Sequence, residues 1–458
     1  MIRNNALVSV THQSVLAFCF GAMATSAAAQ NAGPPTQPEV EQAFREVLSN
    51  ASSLEARSKY ATLLVRAGNF EGGIAALEGL LISPDAPANM RVELAVLYFR
   101  LGSYAIAESY LRTAIEDPRL EPDIKSQAES LLRDVIQRNK TSQISGSLMI
   151  GLRGQSNPTS ATDNRQVYFL SIPVERGADA GPKSDVDTHV WGKIDHVLDL
   201  DMQNEAAVVT SLVAYANHYK SVDSYAKQIG YSKPFDLAIL AGSTGVRFKP
   251  MAPTELTIRP HLIFGGAIAN GSPYFTNNGF GVDGDYRAAD SVTWGGAYEN
   301  TKLSFSSRED MPNSTLQGGT RQTVRLNASF ETAPGHFLLA ELGYADHDGN
   351  TSYTGYRGPQ LRVSYLVSYE PPMASSGLPW TTTVSGSALL RNYRGADPTV
   401  DALTVRNDNE WRLSLVNYMP LTRDIALQLQ LEYSNTSSNI SNFSNTNTSG
   451  SLGVIWKY

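Results

Sequence analysis

The chain is predicted to be an α plus membrane-β protein. An N-terminal α-solenoid of short helical repeats precedes an antiparallel transmembrane β-barrel of about 14 strands. Three observations predict this. The apolar period is helical up to Lys140 and then switches to two for the rest of the chain. The helical part matches itself at a spacing of 34 residues. The last ten residues, SGSLGVIWKY, stop in mid-strand on an aromatic. Such an end would be an aggregation-prone edge in an open sheet, and a closed barrel removes it by pairing last strand with first.

Composition narrows the possibilities. The chain has 458 residues, a formal charge of -7 and a pI near 5.6, so nothing electrostatic favours nucleic acid as a partner. Mean hydropathy is only -0.23, and no apolar run reaches the ~18 residues of a membrane helix. A membrane barrel has the same mean, because lipid-facing and lumen-facing residues alternate and cancel.

Residues 1–29 read as a secretory signal peptide. Arg3 precedes the apolar stretch Val15 to Met23, and the small residues Ser26 to Ala29 place cleavage after Ala29. Cys19, the single cysteine, lies within it, so the mature chain has no disulfide, thiolate metal site or cysteine nucleophile. Phe18 is too large for a lipoprotein processing site. Residues 30–37 form a short flexible leader.

Residues 38–140 read as helices. Pro38 suits a first helical turn, and Val40, Ala43, Phe44, Val47 and Leu48 recur at three- and four-residue steps. Arg57, Ala61, Gly68, Phe70 and Leu77 are answered 34 positions later by Arg91, Ala95, Gly102, Tyr104 and Leu111. A helix-turn-helix period of 34, with glycine at the turn and an aromatic two residues on, is the tetratricopeptide signature. Helices at 38–49 and 121–138 cap the two copies. Stacked pairs of this kind leave a concave groove that suits a polypeptide. Tyr60, Arg91, Tyr98 and Arg100 are the candidate client-binding residues there. A rigid spacer is the simpler alternative.

Residues 141–458 read as the barrel. Leu256, Ile258, Leu262, Phe264 and Ile268 alternate with Thr257, Arg259, His261 and Ala267. Ile425, Leu427, Leu429, Leu431 and Tyr433 alternate with Ala426, Gln428, Gln430 and Glu432. Most segments run about ten residues with aromatics near their ends, the length of a tilted membrane strand. About fourteen are predicted: 143–153, 186–199, 206–219, 235–248, 255–269, 286–298, 301–308, 321–331, 336–345, 359–369, 380–392, 407–418, 424–434 and 448–458. Tyr298 to Lys302 is the predicted turn between the sixth and seventh. Long polar loops at 157–185, 270–285, 346–358 and 435–447 alternate with short turns at 199–205, 331–335 and 419–423. By the usual asymmetry of such barrels, both chain ends and the helical domain then lie in the periplasm.

Enzyme motifs are nearly absent, so no catalytic, metal or cofactor site is expected. His189 and His196 are seven apart on a strand and face opposite sides. Asp346-His347-Asp348 and Asp283-Gly284-Asp285 are expected in surface loops, without the spacing of a calcium loop. Lumen-facing charges have both signs: Lys193, Asp195, Arg259, Arg325, Glu331, Glu341, Arg362, Arg412, Glu432 and Lys457. A conduit for one highly charged polymer would carry a dominant sign, so this wall argues against dedicated export of such a polymer.

The ending, with Leu452, Val454, Trp456 and Tyr458 on one face, resembles the C-terminal signal that the barrel assembly machinery of outer membranes reads. The whole arrangement resembles the surface lipoprotein assembly modulator (Slam) family. The likeness rests on the helical repeats, the barrel opening SGSLMIGLRGQSNPTSAT with Ser156-Asn157-Pro158, and the ending VIWKY. It implies an outer-membrane translocon or assembly factor that helps move lipoproteins or related secreted proteins to the cell surface. The partners implied are outer-membrane lipids, the barrel assembly machinery and a protein client. The repeats would receive the client and the barrel would pass it on, by way of its first–last strand seam. A polysaccharide-export porin with periplasmic repeats and a passive porin are the alternatives.

Overall fold

The computed structural model describes residues 37–50, 53–81, 88–200, 206–220, 236–250, 255–308, 313–371 and 377–458. The signal peptide and leader read from the sequence lie outside these, apart from residue 37. The chain divides into a helical unit ending at Gln143 and a barrel unit from Ile144 onward.

The helical unit contains α1 (Gln37–Ser49), α2 (Leu54–Arg66), α3 (Phe70–Leu81), α4 (Asn89–Arg100), α5 (Tyr104–Glu116) and α6 (Pro122–Arg138). The 34-residue spacing is a structural repeat. Helices α2 and α4 both stop at a glycine with positive φ, Gly68 at 81° and Gly102 at 77°. The closing bonds are the same in each: Asn69 N–H to the Leu64 carbonyl and Ser103 N–H to the Tyr98 carbonyl, both 2.9 Å. This is the Schellman cap, whose left-handed residue carries no penalty when it is glycine. Repeat-equivalent residues share their burial, Ala61 with Ala95 and Leu77 with Leu111. Ala61, Leu77, Leu80, Leu94 and Leu97 join α2, α3 and α4, while Ala95, Ala107, Leu111, Ala128 and Val135 continue the core to α6. Each hairpin thus covers the next, as a quasi-one-dimensional stack requires.

The barrel unit contains β1 (Ser142–Gln155), a small hairpin of β2 (Gln166–Phe169) and β3 (Ile172–Glu175), then β4 (Asp185–Asp199), β5 (Ala206–Tyr219), β6 (Leu237–Phe248) and β7 (Leu256–Ala269). It continues with β8 (Ser272–Ala289), β9 (Val292–Phe305), β10 (Gly319–Ala333), β11 (His336–Gly349) and β12 (Tyr356–Tyr369). The last four are β13 (Trp380–Asp397), β14 (Asp401–Pro420), β15 (Ile425–Ser438) and β16 (Asn445–Lys457). β1 and β4 to β16 form one closed barrel of 14 strands in sequence order. Closure joins β1 to β16 antiparallel, from Ser147 opposite Lys457 to Gln155 opposite Ser449. β1 starts and β16 finishes at one end, the terminal end; the other is the far end.

Side-chain direction settles the solvent. Ile150, Leu262, Leu326, Leu361, Leu413 and Leu452 point outward from strands right around the barrel, each about half exposed. Lumen-facing residues between them are more buried. A continuous apolar outer belt with polar residues within is the inverse of a soluble protein and the pattern of a membrane barrel. Trp294, Tyr298, Tyr344, Tyr365, Trp411, Trp456 and Tyr458 add exposed aromatics to that face.

The sixth and seventh barrel strands differ from the sequence reading. Residues 270–285, expected as a long loop, are mostly strand: β8 begins at Ser272, after a two-residue turn at Asn270 (φ 50°) and Gly271 (φ 77°). Two left-handed residues in a row make the tight hairpin turn that matches strand twist. The next turn falls at Asp290–Ser291, and Tyr298 to Lys302 lies inside β9. Asp283 and Asp285 are therefore strand residues, as are Asp346, His347 and Asp348 on β11. The regular alternation of long loops and short turns fails at this hairpin. Many strands also run further than expected: β13 and β14 have 18 and 20 residues, beyond the ~10 that cross a bilayer.

Candidate functional site

The four groove candidates in the helical unit each have an internal partner. The Tyr60 ring packs on Phe44 of α1 at 5.4 Å between centroids. Arg91 donates to Asp117 at 3.3 Å, and Arg100 lies over the Phe70 ring at 5.8 Å. Tyr98 stacks on Tyr110 at 5.7 Å and donates to Glu78 at 2.6 Å. Burial, with the Glu78 carboxylate, pushes the Tyr98 phenol up to about 12. Arg91 and Tyr98, seven residues apart, share one side of α4, whereas Arg100 is turned about 200° from Tyr98. The four are thus not one cluster.

The lumen wall is richer. Of the charges read as lumen-facing, Lys193 meets Asp195 at 2.7 Å, Arg259 meets Asp283 at 2.6 Å and Arg325 meets Glu299 at 2.6 Å. Arg412 bridges Glu410 at 2.7 Å and Glu432 at 3.2 Å. The remaining partners escaped the sequence reading. Arg391 donates to Glu410 at 2.8 Å, and both are almost fully buried. Arg406 holds Asp408 at 2.6 Å with its guanidinium 3.5 Å from the Phe443 ring centre. Arg153 binds Asp187 at 2.9 Å, and Tyr215 and Gln155 complete that group. Mixed signs on this wall therefore largely mean mutual neutralisation, which is the condition for keeping charges where water is scarce.

Two apolar clusters interrupt the polar wall. Met149, Trp191 and Ile455 meet across β1, β4 and β16, with Val213, Tyr215 and Tyr418 against them. Leu237, Ile239, Ala267, Tyr274, Phe275 and Leu303 form the other toward the far ends of β6 to β9, with Phe305 beside them. Glycine makes room where inner side chains fold over the wall. A Cβ on Gly151 would stand 2.9 Å from the His189 ring, and one on Gly281 would stand 2.7 Å from His261.

At the far end a clasp crosses the β1–β16 seam. Its pin is Asn157, of the Ser-Asn-Pro triplet that follows β1, and it is 1% exposed. The Asn157 amide donates to the carbonyls of Ala161 at 2.9 Å and Thr446 at 3.0 Å and accepts from Ala161 N–H at 3.0 Å. Its backbone N–H donates to the Asn447 side chain at 2.8 Å. Beyond it, Tyr168 N–H donates to Asn442 at 2.7 Å, which donates back to the Tyr168 carbonyl at 2.9 Å. Ser171 N–H reaches the Val400 carbonyl at 2.8 Å. The β1–β4 loop is thereby fastened to both the β15–β16 and β13–β14 connections. Within the seam that the clasp spans, two of the directly opposed pairs are glycine on glycine, Gly151 with Gly453 and Gly154 with Gly450. At the other end of β16, Leu452, Val454, Trp456 and Tyr458 make one outward row.

No protein-family description and no curated protein matches the chain. Among solved structures, the barrel is similar to Pseudomonas putida OprB, at 6% identity over 72% of this chain and 97% of that one, with a TM-score of 0.37. It is also similar to a bacterial polysaccharide outer membrane secretin, at 10% identity over 69% and 98%, with a TM-score of 0.33. The fission protein Fis1 from Saccharomyces cerevisiae matches 23% of this chain and 87% of its own, at 20% identity and a TM-score of 0.21. At these scores the likenesses carry no argument, and the fold rests on the strand pairing itself.

Proposed function

We propose that the chain is an outer-membrane transport protein that passes a polypeptide, in the first instance a lipoprotein, to the cell surface. The observation that carries this reading is the joining, in one chain, of a 34-residue helical repeat to a closed 14-strand barrel with an apolar outer belt. Helical repeats of this period present a groove suited to a peptide segment, and a solute pore has no use for one. The signal peptide read from the sequence supports export from the cytoplasm, and the helical unit is assigned to the periplasm, where it would meet a client before the barrel does. The self-neutralised lumen wall supports a cargo that is not a uniformly charged polymer.

The test is a photo-crosslinking residue placed in living cells at Tyr60 and at Arg100. The expected result is a cross-link to a defined exported polypeptide, lost when that polypeptide's gene is deleted. Cross-links to glycan alone would remove the reading in favour of a polysaccharide-export porin, and no cross-link to cargo at either position would leave the passive porin as the better account.

A further inference from the structure

The lumen wall contains a second feature that neither the helical repeat nor the clasp explains. A pocket of about 90 Å³ opens between β10 and β14, and Arg321, Glu341, Gln360, Arg362, Ser387 and Arg412 help to line it. Cross-strand register puts four of these in one row: Glu341 opposite Arg362, Arg362 opposite Ser387, Ser387 opposite Arg412. Directly opposed residues hold their Cβ atoms about 5 Å apart, so the row is a continuous strip of side chains.

What distinguishes the strip is its unspent bonding capacity. Elsewhere the inner-wall arginines Arg153, Arg259, Arg325, Arg391 and Arg406 are each closed by a carboxylate. Among the described residues, the side chains of Arg321 and Arg362 make no hydrogen bond or ion pair, and the Arg321 Nε is buried without a partner. Glu341, although opposite Arg362, is not hydrogen-bonded to it either, and Gln360 and Ser387 are likewise unengaged. Glu410, the other carboxylate lining the pocket, is already taken by Arg391 and Arg412. The pocket lining therefore carries two guanidinium forks without a hydrogen-bonded carboxylate, Arg362 in the row and Arg321 further along β10, together with the Glu341 carboxylate and neutral amide and hydroxyl groups.

We propose that this pocket binds a small hydroxylated monocarboxylate within the lumen. A planar guanidinium matches a carboxylate through two parallel N–H···O bonds, and Arg362 and Arg321 are the groups available for it. Gln360, Ser387 and Glu341 supply the donors and acceptors for adjacent hydroxyls. A purely apolar acid would leave that side of the pocket unpaired, and a neutral sugar would leave the guanidiniums so. Both cost affinity.

The test uses the full-length chain refolded in a non-ionic detergent, with folding checked by heat-modifiable gel mobility. Isothermal titration with D-gluconate is compared with D-glucose, which lacks the carboxylate. The expected result is saturable binding of gluconate and none of glucose. Arg362→Gln should weaken gluconate binding at least tenfold, while Arg357→Gln, on the outward face of the same strand, should not change it. Equal responses to gluconate and glucose, or an Arg362→Gln variant that folds and binds gluconate as well as the parent, would overturn the proposal.

Discussion

Replacing Asn157 by alanine isolates the clasp from the rest of the barrel. The substitution removes the amide that bonds the Ala161 and Thr446 carbonyls and the Ala161 N–H, at 2.9 to 3.0 Å. It also removes the acceptor of a weaker bond from Thr159 at 3.3 Å. Because Asn157 is 1% exposed, water does not replace these partners without rearrangement. At ~0.5–1.5 kcal/mol net per bond, three well-formed bonds give a local loss of about 2–4 kcal/mol. The barrel's ladder from Ser147 to Gln155 does not depend on Asn157, so the loss should be confined to the β1–β4 loop and its anchors. Amide hydrogen exchange reads this directly, because local opening sets the exchange of each protected N–H. Exchange at Ala161, Tyr168 and Ser171 should accelerate roughly 30- to 800-fold, with β10 to β12 unchanged. Unchanged protection at those three amides would refute the idea that Asn157 pins the clasp. Loss of protection throughout the barrel would show that the clasp supports the whole seam.

Other substitutions probe other parts of the structure. Glu410→Gln leaves the buried Arg391 without its carboxylate and should cost about 3 kcal/mol, read as a lower urea midpoint of the refolded barrel. Leu326→Arg places a charge on the outer belt and should destabilise the barrel by about 2–4 kcal/mol in bilayers, where a substitution in an aqueous loop would not. Gly102→Ala meets no neighbouring atom, so its cost of about 1 kcal/mol comes from the positive φ alone and should appear in the thermal unfolding of the helical signal. The Arg119 side chain and backbone N–H, with Arg91, hold the Asp117 carboxyl at about 2, below its usual 3.8. Its contribution to the helical unit is complete above pH 3.8 and is lost as the pH falls through about 2. A carboxyl ¹³C titration of Asp117 with a midpoint near 3.8 would contradict this.

Much of the architecture was legible because it is periodic. The helical repeat announced its caps through Gly68 and Gly102, whose glycines are needed for the same left-handed turn. The strands announced themselves by alternation wherever one face is apolar. Strand β8 did not, because its outward positions include Asn278 and Gly284 and its inward ones Gly279 and Gly281, which blurs the period of two. The Asn270–Gly271 dipeptide was the signal that marked its hairpin. The far-end extensions of β13 and β14 project past the apolar belt, so their polar residues read as loop. Inner-wall signs were legible but their pairings were not. Arg391 stands opposite Asp408 and bonds the diagonal Glu410, which only the register reveals. The Ser-Asn-Pro triplet stood out in the sequence, yet its partners Thr446 and Asn447 lie some 290 residues away.

The most direct test of polypeptide passage is protease shaving of intact cells with and without this gene, followed by comparison of their outer-membrane proteomes and surface glycans. The account predicts that at least one lipoprotein is cleaved from the surface of the parent and stays protected inside the mutant. An unchanged set of exposed proteins, together with the loss of a secreted glycan, would contradict it.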